Sequence, residues 1–166
     1  LHLFKDLLGN GKDFGLKIEY KIQKKPEGIA QSLLLAKKFL NGSPCALILG
    51  DNIFYGPGLR EKLAEANLKK NGATIFAYAV KDPERYGVVK VDKNGKPVKI
   101  SEKPKKPKSN LAVTGLYFYD NEAVNQVKQL KPSKRGELEI TDLNKLYMNQ
   151  GNLNLQTFSR GFAWLD

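Results

Sequence analysis

Residues Cys45-Ala46-Leu47-Ile48-Leu49 form an unbroken apolar run that stops at Gly50-Asp51-Asn52. Such a run reads as a strand buried on both faces, as in a parallel sheet with helices on either side. In open α/β sheets ligands bind outside the carboxyl ends of the strands. Asp51 is therefore expected at the mouth of a site, as a hard oxygen donor suited to Mg²⁺. The same residues also fit a strand that ends in a turn, with Asp51 capping the next helix.

The remaining pattern decides what surrounds that strand. Leu1 to Leu8 reads as a short helix ending at Gly9. Leu16 to Ile22 alternates apolar and charged positions and reads as a strand. Ile29, Leu33, Ala36 and Leu40 fall on one helical face between Gly28 and Asn41-Gly42. Leu59 to Lys70 is a second amphipathic helix, and Thr74 to Val80 a strand of β formers. This β-α-β-α-β alternation over 16–80 argues for a layered α/β sheet. Gly87 to Asp92 and Pro97 to Ser101, joined across Asn94-Gly95, predict a β-hairpin. Ala112 to Tyr119, Leu153 to Phe158 and Phe162 to Leu165 read as strands, and Glu122 to Leu130 and Ile140 to Gln150 as helices. The expectation is one α/β domain with a mixed, mostly parallel sheet and an inserted hairpin.

With 166 residues the chain is long enough for one domain with a real core. Its 41% apolar and 27% charged residues are ordinary for a soluble globular protein. No apolar run approaches the roughly 18 residues of a membrane span, and no signal peptide is read in Leu1 to Leu8. The lone cysteine, Cys45, sits in the apolar run and reads as a small buried hydrophobe; a cytoplasmic setting is expected. The chain starts without Met and stops at Trp164-Leu165-Asp166, so it reads as a piece of a longer protein.

Charge offers a competing reading. The net charge is +11, and residues 93–108 hold seven lysines against one acid, Glu102. A lysine-rich surface can attract nucleic acid or phosphorylated small molecules. Here the lysines are interleaved with Pro97, Pro104 and Pro107 and with no aromatic residue. That argues against a stacking platform for single strands, and no nucleic-acid partner is expected.

Phosphoryl-type transfer needs a cation held by carboxylates, cationic groups on the nonbridging oxygens, and a pocket for both partners. Asp51 and Asp166 each end a predicted strand and could share one Mg²⁺. Lys103 follows Glu102 on the rim after the hairpin. Gln23 precedes Pro26-Glu27-Gly28, where a glycine lets a ligand approach the backbone or simply serves a strand–turn–helix connection. The only histidine is His2, so no His-based triad or metal cluster can form. No Gly-x-x-x-x-Gly-Lys-Ser/Thr loop occurs.

Several segments, in order, resemble the glucose-1-phosphate thymidylyltransferases, a family of sugar nucleotidyltransferases. They are Cys45 to Gly56, Asp82 to Val89, Ser101-Glu102-Lys103-Pro104, Pro107 to Asn110, Ala112 to Asp120, Arg135 to Asp142 and Gly161 to Asp166. The resemblance runs through essentially the whole chain. The family's Gly-x-Gly-Thr-Arg-Leu loop is absent from the sequence, as is its helical carboxyl-terminal region. The resemblance therefore implies a partial catalytic domain over 1–166, truncated at both ends, with a Rossmann-like nucleotidyltransferase fold and no activity of its own.

The resemblance implies these roles. Gln23 and Gly28 hold the thymine base, and Asp51 and Asp166 bind Mg²⁺. Gly87 presents its backbone to the glucose, Glu102 accepts from sugar hydroxyls, and Lys103 meets the sugar phosphate. Thr114, Gly115 and Tyr117 line the sugar pocket, and Arg135 helps with phosphate charge. Tyr55, Gly56 and Arg160 lie in segments resembling a regulatory nucleotide site. The implied substrates are dTTP and glucose 1-phosphate, the implied parent a homotetramer with no membrane or nucleic-acid partner, and the implied product dTDP-glucose for rhamnose-type polysaccharides. The rivals are a UTP- or CTP-dependent sugar nucleotidyltransferase and a homologue that binds nucleotide sugars without turnover.

Overall fold

The computed structural model describes residues 1–166. Its organising element is β6 (Leu111–Tyr119), a nine-residue strand that includes the β-branched Val113 and Thr114 and the aromatic run Tyr117-Phe118-Tyr119. One edge of β6 pairs antiparallel with β3 (Ala73–Ala79). The other edge is shared. At Ala112 it meets β4 (Gly87–Val91), and from Leu116 to Tyr119 it meets β1 (Cys45–Ile48). β5 (Pro97–Glu102) closes a hairpin onto β4, and β7 (Leu153–Thr157) flanks β3. A separate two-stranded ribbon joins β2 (Ile53–Tyr55) to β8 (Ala163–Leu165).

Alternation along the strands divides the interior in two. Ile75 and Tyr117 face a large cluster with Val89, Ile100, Leu143 and Tyr147. Phe76 and Leu116 face a smaller one with Phe158, Phe162 and Ala66. On the first face lie α2 (Gln31–Leu35), α5 (Ala123–Val127) and α6 (Ile140–Asn149). α6 buries Ile140, Leu143 and Tyr147, the i, i+3, i+7 stripe of an amphipathic helix. α4 (Leu59–Leu68) covers the second face through Ala66, with Leu59 and Leu63 beside it. Polar bonds tie the first layer down. The Tyr119 hydroxyl donates to Asn144 at 2.7 Å, and the Tyr147 hydroxyl donates to Asp120 at 2.6 Å. Asp120 also accepts from the Gly72 amide at 2.6 Å.

The α/β layering and the hairpin agree with the sequence. The hairpin turn is locked by Asp92, whose carboxylate accepts from the Asn94 and Lys96 amides at 2.8 and 2.9 Å. Four expectations need correction. The pairing is mostly antiparallel, because β6 runs against β1, β3 and β4; only β3 and β7 are parallel. β1 is not buried on both faces: Ala46 and Ile48 are exposed, since it lies at an edge with no layer over that side. Residues 16–22 form no strand, having no partner edge to complete a ladder. The helix expected over 29–40 splits at Ala36 into α2 and α3 (Lys37–Leu40). The amino-terminal helix, α1 (His2–Leu8), does end at Gly9, but it buries nothing.

Candidate active site

The site lies where β6 passes from one neighbour to the next. Between β4 and β1, Gly115 has no strand beside it. Its carbonyl accepts from the Leu49 amide at 2.9 Å, and its amide donates to the Asn52 side-chain oxygen, also at 2.9 Å. The end of β1 is thus stitched to the middle of β6, which sets the Gly50-Asp51-Asn52 turn next to Leu49 and Gly115, two residues that line a cleft of about 280 Å³. Gly115 is needed for this approach. A Cβ there would stand 2.6 Å from the Asn52 oxygen.

The ribbon brings the second aspartate. β2 leaves that turn, and pairing of Ile53 with Leu165 sets Asp166 beside Asn52. The Asn52 side-chain nitrogen donates to Asp51 at 2.9 Å and to Asp166 at 2.6 Å. Placed end to end, those two bonds cap the separation of the accepting oxygens at about 5.5 Å. Two carboxylates from positions far apart in sequence therefore converge. No group of three or more His, Cys, Asp and Glu is arranged to hold a metal, so any cation here would draw its other ligands from phosphate and water.

The opposite wall comes from the hairpin and the segment before α6. Gly87 pairs with Glu102 across β4 and β5. The Thr141 hydroxyl, at the start of α6, donates to one Glu102 oxygen. Lys103 has φ +38°, a left-handed conformation for a non-glycine residue directly before Pro104. This break turns the chain out of β5, so Glu102 and Lys103 both line the cleft rather than opposite faces of a strand. Tyr117 lies between the walls. Burial, then the charges of Glu102 and Asp166, hold its hydroxyl protonated well above the usual phenol range.

Gly87, Glu102, Lys103, Gly115, Tyr117, Arg135 and Asp166 thus line one cleft. Arg135 is committed there, paired with Glu139 at 3.0 Å and Glu137 at 3.3 Å. Its hydrogen bond to Glu139 and the charges of Glu139 and Glu137 raise its already high pKa. Thr114 is not at the cleft: it is fully buried and donates to the Phe76 carbonyl at 3.1 Å. Alternation places it on the opposite side of β6 from Val113 and Gly115. Gln23 lies on the exposed amino-terminal segment and donates to the Gly28 carbonyl at 3.0 Å. Gly28 (φ +100°) meets the Leu138 backbone, where a Cβ would stand 2.3 Å from the carbonyl oxygen. The close approach to Gly28 is made by the segment around Leu138. Tyr55 ends β2 in the ribbon, Gly56 follows it beside Phe162, and Arg160 lies in the turn before β8; none of the three lines the cleft.

The sequence profile of the nucleotidyl transferase family matches residues 1–166. The chain belongs to the nucleotidyl transferase family. Over 163 residues this nucleotidyl transferase chain is 55% identical to glucose-1-phosphate thymidylyltransferase of Neisseria meningitidis, covering 98% of the chain and 57% of that protein. It is 54% identical to the same-named protein of Xanthomonas campestris, covering 99% of the chain and 56% of that relative. A Bacillus anthracis crystal structure provisionally assigned to glucose-1-phosphate thymidylyltransferase, in complex with sucrose, superposes with a TM-score of 0.90 at 42% identity, covering 100% of this chain and 66% of that one. A UDP-glucose pyrophosphorylase complexed with UDP-glucose matches with a TM-score of 0.77 at 22% identity over 93% of this chain and 64% of that one, which speaks to the fold alone. The chain spans little more than half the length of the curated relatives it matches.

Sequence reasoning passed over Asn52 and Thr141. Asn52 was visible only as the last letter of the Gly-Asp-Asn turn, and β2, three residues long, gave no periodic signal. Thr141 reads from sequence as part of a helix start, and only the fold sets it against Glu102.

Proposed function

We propose that this chain is the central body of an enzyme that transfers a thymidylyl group from dTTP to glucose 1-phosphate, giving dTDP-glucose and pyrophosphate. The observation that carries the reading is one cleft lined by Asp166, Glu102 and Lys103, with Asp51 joined to Asp166 through the Asn52 amide. The relatives' names supply the substrate class.

A phosphate oxygen of glucose 1-phosphate attacks the α-phosphorus of dTTP. The new P–O bond forms as the bond to pyrophosphate breaks. The attacking monoester is already anionic, so no protein nucleophile or general base is required. The work left to the protein is positioning and charge neutralisation. Lys103 meets the sugar phosphate as a point charge. Glu102, with one oxygen held by Thr141, offers the other to a sugar hydroxyl. Gly87 and Gly115 leave room for the ring, and Tyr117 stays protonated beside it. Arg135, tethered to Glu137 and Glu139, has less free charge for phosphate than Lys103.

The hard carboxylate oxygens of Asp51 and Asp166 fit a Mg²⁺ ion, and their convergence supports that assignment. When bound, the ion would neutralise charge on the nucleotide phosphates. Gln23 and Gly28 are assigned to the base, and Tyr55, Gly56 and Arg160 to a second nucleotide site. Homotetrameric assembly and a cytoplasmic setting are part of the same reading; no helix here is long and apolar enough to cross a membrane.

The test is pyrophosphate release by the whole protein with glucose 1-phosphate and each of dTTP, UTP and CTP. Fastest turnover with dTTP is expected. Preference for UTP or CTP would move the protein to a neighbouring specificity, and binding without release would make it a nucleotide-sugar-binding homologue.

A further inference from the structure

We infer that Asn52 is a positioning residue that sets the spacing and orientation of Asp51 and Asp166 for the cation. The inference rests on the function proposed above. Asn52 is 8% exposed, and every hydrogen-bonding position of its amide is engaged. Its oxygen accepts from the Gly115 amide at 2.9 Å and from the Trp164 indole at 2.7 Å. Both lone pairs of one carbonyl are then occupied. Its nitrogen donates to one oxygen of Asp51 and one of Asp166. Both protons are then occupied too.

The assignment of nitrogen and oxygen is forced by these neighbours. Two donors, a backbone amide and an indole, point at one end of the side chain, and two carboxylates at the other. The reverse orientation would set N–H against N–H and oxygen against carboxylate. The same geometry divides labour on each aspartate. The amide takes Oδ1 of each carboxylate, which leaves Oδ2 of each for a cation. A neutral donor between two like charges also lets them stand close without a counter-ion, because each has a proton to face.

Trp164 makes the device double. It sits across the ribbon from Phe54 and packs against Tyr86 with ring centres 5.1 Å apart. Through its indole it fixes Asn52, and through β8 it fixes Asp166 two residues on. Gly115 supplies the other anchor, and its lack of a side chain keeps the amide in place. One buried amide thus couples β6, the turn after β1, and the ribbon.

The experiment compares wild type with Asn52→Ala and Gly115→Ala in the whole protein. The probe is Mn²⁺ with saturating dTTP, read by water-proton relaxation and by quenching of tryptophan emission. Glucose 1-phosphate KM and thermal midpoint are measured alongside. Asn52→Ala removes the amide, and Gly115→Ala displaces it with the amide still present. Each is expected to weaken Mn²⁺ binding by about tenfold or more, the usual loss when an outer partner of a metal ligand is removed. For Asn52→Ala the glucose 1-phosphate KM should stay within about twofold of wild type, since the Asn52 amide donates to the aspartates and lines no part of the cleft.

A merely structural role would lower the thermal midpoint of both variants and leave the Mn²⁺ constant of the folded protein unchanged, and that result would overturn the inference. If Asn52→Ala does not fold, Gly115→Ala decides alone. If wild type turns substrate over yet Mn²⁺ binds both variants as tightly as wild type, the positioning role fails and the proposed function stands. If wild type neither binds Mn²⁺ nor releases pyrophosphate, the proposed function fails, and this inference with it.

Discussion

The two walls of the cleft are built by opposite means. On the aspartate wall a neutral, buried amide with no spare valence holds two exposed carboxylates. On the wall of Glu102 and Lys103 the charges are set by partly exposed ion pairs around Arg135 and by one strained backbone residue, Lys103. Hydrogen bonds to a buried group are costly to leave unmade, so the first arrangement is over-determined. Exposed ion pairs are weak and adjustable. The contrast is between a wall that fixes its charges and a wall whose charges can shift.

The largest effect should come from the over-determined wall. Asp51→Asn in the whole protein keeps the size of the side chain and removes its charge. Turnover is expected to fall by about a hundredfold to a thousandfold, the scale of losing one preorganised electrostatic group. Circular dichroism should show an unchanged fold, because Asp51 is exposed and its only side-chain bond is to Asn52. Wild-type-like turnover with Mg²⁺ would break the comparison at its root.

Lys103 tests the adaptable wall, and two substitutions separate its charge from its strain. Lys103→Ala and Lys103→Gly should both raise the glucose 1-phosphate KM by about tenfold to a hundredfold, the range for one lost hydrogen bond to a charged group. Nucleotide affinity should change far less. The two should differ in stability. Glycine tolerates the left-handed conformation, so Lys103→Gly is expected to be about 1 kcal/mol more stable than Lys103→Ala by urea denaturation. Equal stabilities would mean that the φ of +38° costs nothing.

A smaller effect is expected at Arg135. Glu137 and Glu139 already occupy its guanidinium, and about half of its side chain is exposed. Arg135→Gln should lower kcat/KM within about fivefold, with the loss shrinking further in high salt, as expected of an exposed charge. A loss as large as that at Lys103 would show that Arg135 leaves its carboxylates to meet substrate.

Much of this was legible in the sequence, and the exceptions share a cause. The hairpin, β6 and α6 announced themselves because turn chemistry and periodicity are local properties. The strand expected over 16–22 has the same alternation but no edge to pair with, and β1 has an apolar sequence without a layer over its outer face. Burial and pairing are supplied by other segments, so a single segment cannot report them. The site divided in the same way. Asp51, Asp166, Glu102 and Lys103 could be picked out by chemical type and by resemblance. Asn52 acts only through residues as distant as Asp166, 114 positions away, and Thr114 was assigned to a cleft that strand alternation turns it away from.

The smallest effect is expected from the lysines outside the cleft. Lys105, Lys106 and Lys108 follow the strained turn, and all three are exposed. Lys106 and Lys108 border a shallow hollow with Lys90 and Lys99, which face each other across β4 and β5. Like charges opposed in this way are mildly unfavourable, yet they keep the hairpin soluble and discourage pairing with another strand. None of these lysines lines the cleft. Replacing Lys105, Lys106 and Lys108 by glutamine should therefore leave kcat and both KM values near wild type. The sharper measurement is DNA and RNA binding across a salt series. Several lysine–phosphate contacts would give an affinity that falls steeply with salt and is lost in the triple variant. Weak binding, equal for wild type and variant at physiological salt, is the expected result, since a net charge of +11 attracts polyanions without a site. Micromolar binding that disappears in the variant would add a nucleic-acid surface to the outer face of the hairpin, and the adaptable wall would then carry a second function on its reverse side.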